Sequence, residues 1–433
     1  MRQKFKATQE RIITAVDLGT TKISVIIATL LENGKLELKG VGESPSCGLE
    51  NGLVKDIIKA SESIKKAISE AEEKSNYRAE NIYVGIAGEH IKSTNANSRL
   101  SIEGKSEAEP GEITQENIDK VVKIAEELVV TQLGDKNQRI IHAIPQYFEV
   151  DNQNNIINPI NMSGMILTAH VHVVMADVSS LRNINKCFEL INYDIEKIVL
   201  ESLASSKAVL TDDETFLGCV LLDIGGGTTD IAAFFKESIR FSLVVPLGGA
   251  NITNDIRSGL STTPRHAEML KTEFGDVLVK DMDEQEMITV EGIGGREEEP
   301  QKRSYLIRIM ESRLREILEI AYKAISDVNY RDFMSAGIIL TGGTSLLKNI
   351  EHSAKDVFNL SVRIGYPNLK RFVNPEESLK DPRYSTSVGL LYYAADNYNK
   401  AETKSKGIIK HRQFDNIFTN LFKKIQNLLI DFT

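Results

Sequence analysis

Apolar positions in the first ninety residues fall into runs and stripes that predict a sheet with one helix. Ile12 to Leu31, broken once at a glycine, and Leu36 to Val41 read as the first strands. A helix is predicted around Lys55 to Lys74, where Ile57, Ile58, Ser61, Ile64 and Ile68 recur at three-four spacing. Ile82 to Gly88 is a short apolar run ending in glycine, a buried strand. From Glu89 to about Gly164 the texture changes. Ser, Asn and Glu become frequent, and Glu107 to Glu112 reads as a turn. Ile118, Val121, Val122, Ala125, Leu128 and Val129 then predict an amphipathic helix from near Thr114 to Gln132, with a strand at Arg139 to Val150. The block reads as a small α/β domain inserted into a larger one, because a decorated loop would not carry so regular a stripe.

Further along, Ser179 or Ser180 is placed to cap a helix bearing Ile184, Cys187, Phe188 and Ile191. Ile195 to Leu200 is the next strand. A helix is expected from about Asn251. Arg296 to Arg303 reads as a charged loop, and a helix from Ser304 to Ile325 follows with Ile307, Met310, Leu314, Ile317, Leu318 and Ala321 inward and Arg308, Arg313 and Arg315 outward.

Composition narrows this modestly. A chain of 433 residues is too long for one core, so two to four domains are expected. The net charge of −9 argues against nucleic-acid binding by the body of the protein. Cys47, Cys187 and Cys219 lie far apart without metal spacing, as for reduced thiols in the cytoplasm. No apolar run approaches the roughly 20 residues that span a bilayer, and the basic N-terminus lacks the apolar core of a secretory signal. His170 and His172 alternate on a strand and could share a metal, but no third ligand is apparent, so both read as structural.

The chemistry sits in glycine turns. Leu221 to Asp230 runs from an apolar strand through Asp223, Gly225, Gly226, Gly227 and Thr228 into a second apolar strand. An ordinary glycine hairpin would look the same. Glycines, however, let a ligand approach bare main chain, and successive N–H groups form a concave donor array suited to phosphate. Ile12 to Ile26 repeats this grammar with Asp17, Gly19, Thr20 and Thr21, and places Lys22 where the other copy has Asp230. Two such hairpins suggest related halves facing across a cleft. A polyphosphate would lie between them, with Lys22 as fixed cation and Asp17 and Asp223 converging on magnesium. A third piece, Ala336 to Ser345, is strand, Gly342-Gly343, then a helix opening around Thr344 or Ser345, whose N-terminus offers free N–H groups. Pro246 to Ala250, with Gly248 and Gly249, predicts one more close backbone approach.

With these motifs the chain resembles the actin, DnaK-type chaperone and sugar-kinase superfamily, and within it the FtsA family of bacterial cell-division proteins, over nearly all of its length. The resemblance implies an α/β, actin-like two-lobed ATPase fold of duplicated ribonuclease-H-like domains, with ATP and Mg2+ as ligands. It implies lobe 1 from 1–84, 165–200 and 376–397, the insert from 85–164, the lobe 2 core from 201–248 and 336–375, its subdomain from 249–335, a linker from 398–415 and a terminal helix from 416–433. Glu201 matches the acid that orients the attacking water, beside Asp223. The family usually has Pro after this acid, where this chain has Ser202, which can still start a helix. Glu268 and Lys271, three apart on one helix face, match the grip on ribose and adenine; spacing alone would equally allow a surface ion pair. Asp381 to Ala395 resembles the second helix that crosses between the lobes. The resemblance also implies filaments of the chain itself, docking of the acidic tail of the tubulin-like protein FtsZ near Arg303, Arg308 and Arg313, and recruitment of later division proteins.

The tail adds a membrane. Between Lys400 and Lys424 seven basic residues stand against Glu402 and Asp415. Ile417, Phe418, Leu421, Phe422, Ile425, Leu428, Leu429 and Phe432 form a wide apolar face with Lys423 and Lys424 beside it. Packed on the body, this stripe would be core. Its terminal position, polar tether and lysines favour anionic lipid on the cytoplasmic side of the cell membrane at the division site. The rival readings are a small-molecule kinase of the same superfamily, which would leave the tail idle, and a pilus- or shape-determining actin relative.

Overall fold

Both faces of the first hairpin are covered, which is why its two strands are nearly continuous apolar runs. In the computed structural model, which describes residues 11–104, 109–133, 137–327 and 334–398, β1 (Arg11–Leu18), β2 (Lys22–Leu30) and β3 (Leu36–Pro45) form an antiparallel meander. Helix α1 (Ile57–Ser75) packs across it. Asp56 caps α1 by accepting from the Ile58 and Lys59 N–H groups, and left-handed Asn76 ends it. Gly42 permits the close approach, since a Cβ there would stand 2.1 Å from the Ala67 carbonyl oxygen. Ser61, Ile64 and Ile68 face the sheet as expected, but Ile58 is exposed. It lies about 120° round the helix from Ile64, off the buried stripe. Strand β4 (Ile82–Ile86) adds in parallel to β1.

The insert follows. Its sheet is built from β5 (Ile91–Ser101), β6 (Gln138–Val150), β7 (Gln153–Ile156) and β8 (Ile166–Asp177) in the order β7-β6-β8-β5, with α2 (Gln115–Leu133) packed on it. Ile118, Val121, Ala125 and Val129 meet Phe148, Leu167 and Val171 in a core separate from those of the lobes. Leu128, on the rim of the stripe, is exposed. The boundary expected at Gly164 is corrected here. Strand β8 pairs with β5 from Ile166 to Ala176 and with β6 from Leu167 to Asp177, so it belongs to the insert's sheet rather than to lobe 1.

The chain returns to lobe 1 through α3 (Val178–Leu190) and β9 (Ile195–Leu200), giving a sheet in the order β9-β4-β1-β2-β3. Neither Ser179 nor Ser180 caps α3. The N-cap is Asp177, whose carboxylate accepts from Gln138. Helix α4 (Glu201–Val209) then crosses to lobe 2, followed by the short α5 (Asp212–Leu217).

Lobe 2 repeats the plan of lobe 1. A meander of β10 (Cys219–Ile224), β11 (Thr229–Phe235) and β12 (Ser238–Val245) is extended in parallel by β15 (Gly337–Thr341) and β16 (Val362–Ile364), in the order β12-β11-β10-β15-β16. Between them lie α6 (Gly249–Gly259), α7 (Pro264–Glu273), a hairpin of β13 (Met287–Val290) and β14 (Glu299–Lys302), and α8 (Arg303–Asp327). The charged loop expected at 296–303 is therefore partly a strand. Its polar residues pair with β13, which alternates exposed and buried positions, while β14 itself has no buried residue.

After α9 (Ile350–Phe358), a helix over 385–398, here α10, crosses back beside α4. Gly389 allows this crossing: a Cβ there would fall 1.8 Å from the Ala204 carbonyl oxygen. The expected linker from its second residue, 399, onward and the eight apolar tail residues from Ile417 to Phe432 lie outside the described residues.

Candidate functional site

The two hairpin turns face each other. A Cβ on Gly226 would stand 2.5 Å from Thr21 Cγ2, and one on Gly227 2.4 Å from Thr20 Oγ1, so the second turn must be bare main chain to sit against the threonines of the first. Beside them opens a cavity of about 590 Å³. Lobe 1 contributes Asp17, Gly19, Thr20, Thr21 and Lys22. Lobe 2 contributes Asp223, Gly225, Gly226, Gly227, Thr228, Gly249, Glu268, Lys271, Gly342, Gly343 and Thr344, and Glu201 reaches in from the start of α4. Of the sequence-predicted nucleotide and metal residues, Gly248 alone is not a lining residue.

Gly248 works from behind. The Gly249 and Ala250 N–H groups donate to the Gly225 and Gly226 carbonyls, and Thr344 Oγ1 donates to the Gly225 carbonyl at 2.9 Å. A Cβ on Gly248 would meet both glycine carbonyl oxygens at 2.7 Å. The carbonyls of the second turn are thus held away from the cavity. Its Gly225 N–H is also occupied, donating to the Thr228 carbonyl. The donor array expected from three glycines is therefore smaller: the N–H groups of Gly226 and Gly227 donate to no acceptor among the described residues.

Lys22 is engaged. Its ammonium donates to Glu43 Oε1 at 2.5 Å and lies 4.1 Å from the Tyr384 ring centroid, while Tyr384 Oη donates to the same carboxylate. At the opposite end Lys271 Nζ donates to the Gly249 carbonyl, Thr253 Oγ1 and Glu268 Oε2. The Lys271 side chain is 11% exposed and pins α7 to the start of α6, whereas Glu268, 51% exposed, opens to the cleft. Gly342 adopts φ 82°, and a Cβ there would stand 2.4 Å from Asp223 Oδ1. The helix expected at Thr344 is one 3-10 turn, Gly343–Leu346, with α9 starting only at Ile350, so the long helix expected at this glycine step does not begin there. Ser202 likewise sits inside α4 instead of capping it.

Four carboxyls gather at the floor. Burial, then the charge of Asp223, pushes Asp17 up to about 7, against the lowering pull of Lys22. Burial pushes Asp223 up to about 6 although Ser205 and Thr386 donate to it. Glu201 is raised well above the usual carboxylate range by burial and then by Asp17, Asp230 and Asp223; Asp230 is raised by burial and then by Asp223. Asp230 was legible only as the counterpart of Lys22. Register places it directly opposite Asp223, buried, with Oδ1 lacking a partner. Such a set gains by admitting a cation. No three His, Cys, Asp or Glu among the described residues are grouped to hold an ion by themselves. The donor set fits a hydrated divalent ion shared with a phosphate. Arg383 and Thr386, from the second crossing segment, also line the cavity, and Arg383 is paired with Asp381 at 2.8 Å. The sequence showed their segment but not that it reaches the cavity.

The three arginines on the subdomain differ. Arg303 is held inside by Asp283, Glu286 and the Phe274 carbonyl, and only 15% of its side chain is exposed. Arg313 grips Asp255 through two nitrogens. Arg308 pairs with Glu284 yet remains 61% exposed. The histidines behave structurally: His170 stacks on Tyr147 and bonds Glu149, and His172 bonds Asn95 and Ser242.

Comparison with known proteins shows the family and the fold. The family profile "Cell division protein FtsA" matches residues 220–389, and "SHS2 domain inserted in FTSA" matches 88–175. The cell division protein FtsA of Pseudomonas aeruginosa is 36% identical over 88% of this chain and 89% of its own length. The chain belongs to the FtsA family. FtsA of Neisseria meningitidis is 32% identical, covering 94% of this chain and 95% of that one, and FtsA of Escherichia coli K12 is 31% identical, covering 92% and 94%. Among solved structures, the PilM-PilN type IV pilus biogenesis complex superposes with a TM-score of 0.61 at 14% identity, covering 88% of this chain and 98% of that one. MreB5 of Spiroplasma citri bound to ADP gives 0.50 at 15% identity, covering 90% and 98%. At those identities the likeness is one of fold, and the fold is actin-like with an SHS2 insert.

Proposed function

We propose that this FtsA-family chain binds ATP with Mg2+ between its lobes, polymerises on the inner face of the cytoplasmic membrane, holds FtsZ filaments there and recruits later division proteins. The observation that carries the nucleotide part is the meeting of Thr20 and Thr21 with Gly226 and Gly227 at the mouth of one cavity. A triphosphate there would take the free N–H groups of the second turn, the threonine hydroxyls of the first and the ammonium of Lys22. Asp17 and Asp223 would hold the hydrated magnesium ion, which supplies charge neutralisation to the phosphates. Glu201, which reaches into the cavity from the start of α4, would orient the attacking water. Glu268 would meet the ribose, with the Gly342-Gly343 step against the base.

The membrane part rests on the tail sequence, and the FtsZ part on family membership together with the exposure of Arg308, whose planar fork suits a carboxylate. A single amphipathic helix contributes only several kcal/mol at roughly 25 cal/mol per Å² of apolar surface. Linking many copies in a filament would convert weak anchoring into stable anchoring. Sedimentation with anionic vesicles tests this. The full chain should pellet, and a chain ending at Asn416 should stay in the supernatant while binding ATP with unchanged affinity; pelleting of the truncated chain would contradict the tail's role.

A further inference from the structure

The insert reaches the floor of the cleft. Strand β6 carries His142, which is buried and whose Nε2 accepts the N–H of Leu200 at 3.0 Å. Leu200 is the last residue of β9 and the N-cap of α4, so the next residue is Glu201. Strand β9 is the edge of the lobe 1 sheet, and no side chain caps α4. Buried helix-terminal N–H groups need an acceptor, and here it comes from another domain. The ring also stands edge-on to Tyr393 of α10, 5.9 Å between centroids, so His142 touches both crossing elements.

The strand that carries His142 is itself held by lobe 2. Four residues on, Gln146 Nε2 donates to the Ile239 carbonyl at 2.9 Å, and Ser238 Oγ donates to the Gln146 carbonyl at 2.8 Å. Strand β5 adds bonds from Ser93 and Asn95 to carbonyls of β12. One strand of the insert therefore spans from the start of α4 to the edge of the opposite lobe. Burial keeps the ring neutral, with a pKa lowered to about 3, and a neutral ring that accepts at Nε2 carries its proton on Nδ1.

We infer that His142 is a positioning residue for Glu201: the insert sets where α4 begins, and so where the Glu201 carboxyl stands relative to the terminal phosphate. The inference rests on the ATP reading above, and deepens it by making hydrolysis depend on how the insert is docked. A small misplacement of a water-orienting group lowers turnover while leaving ground-state binding intact.

The test uses the full chain with H142L, H142N, H142Q and, as reference, E201Q, measuring ATP turnover and calorimetric ATP affinity. Gln offers an acceptor near the position of His Nε2, whereas Leu has none and the Asn amide is too short. E201Q should lower kcat. H142L and H142N should lower kcat roughly tenfold with Kd for ATP within about twofold, and H142Q should recover most of the loss. Should H142L fold poorly, the comparison of H142N with H142Q carries the same information. The inference is overturned if E201Q lowers kcat while H142L and H142N turn over at the wild-type rate, or if H142Q falls as far as H142N. Full turnover by E201Q would instead overturn the role given to Glu201 itself, and this inference with it.

Discussion

Thr21 and Gly226 come from opposite lobes, and their contact leaves no room for a side chain on the glycine. The relationship explains why one turn has three glycines and the other one glycine and two threonines: one side supplies bare main chain, the other hydroxyls. Gly226→Val should wedge the turns apart and weaken ATP binding by at least about tenfold, since losing even one or two charge-assisted phosphate contacts costs that much. Calorimetric titration checks this, and far-ultraviolet circular dichroism should stay unchanged.

Lys22 is bonded to Glu43, so phosphate must compete for it. Lys22→Ala should weaken ATP binding roughly tenfold or more. Glu43→Gln should act in the opposite direction and tighten binding by a few-fold, because a neutral amide competes less with phosphate. The pair of titrations distinguishes a phosphate cation from a purely structural ion pair, for which both variants would leave affinity unchanged.

Asp17 should make the unliganded protein sensitive to pH in a defined direction. Its folded-state pKa is raised from 3.8 to about 7. Between these values the unfolded chain ionises while the folded one resists, so this group's contribution to stability falls as pH rises and levels off above about 7. His142 and His172, lowered to about 3 and about 4, act in the opposite sense below their ordinary value. The informative quantity is therefore a difference. Asp17→Asn should melt above the wild type at pH 8 and show a smaller gain at pH 5, read by differential scanning calorimetry without nucleotide.

Gly389 fixes the crossing of α10 over α4. Gly389→Val should destabilise the protein by more than about 2 kcal/mol, as expected of overpacking against main chain. Chemical denaturation checks this, and an unchanged midpoint would show that the helices can slide apart.

What was legible in the sequence was whatever repeats locally. Asp17 to Lys22 and Asp223 to Thr228 announce themselves by strand, acid and glycine, and the stripes of α1, α2 and α8 by their period. Contacts between distant segments were not legible. Lys22 with Glu43, Asp230 facing Asp223, Arg383 at the cavity and His142 on Leu200 join residues whose own neighbourhoods look ordinary. Strand β8 was assigned to the wrong domain for the same reason, since Leu167 to Val174 reads equally well as a strand of either sheet. The β13–β14 hairpin was missed because Glu299 to Lys302 is polar and includes Pro300, which suits an exposed two-stranded ribbon but gives no apolar signal.

The most direct test is a crystal structure of the full chain with a non-hydrolysable ATP analogue and Mg2+. The triphosphate should lie between the turns, hydrogen-bonded to Thr20, Thr21 and Lys22 on one side and to the Gly226 and Gly227 N–H groups on the other. Lys22 should have left Glu43. An analogue lodged elsewhere, or phosphates touching only one turn, would contradict the two-sided grip on which the account depends.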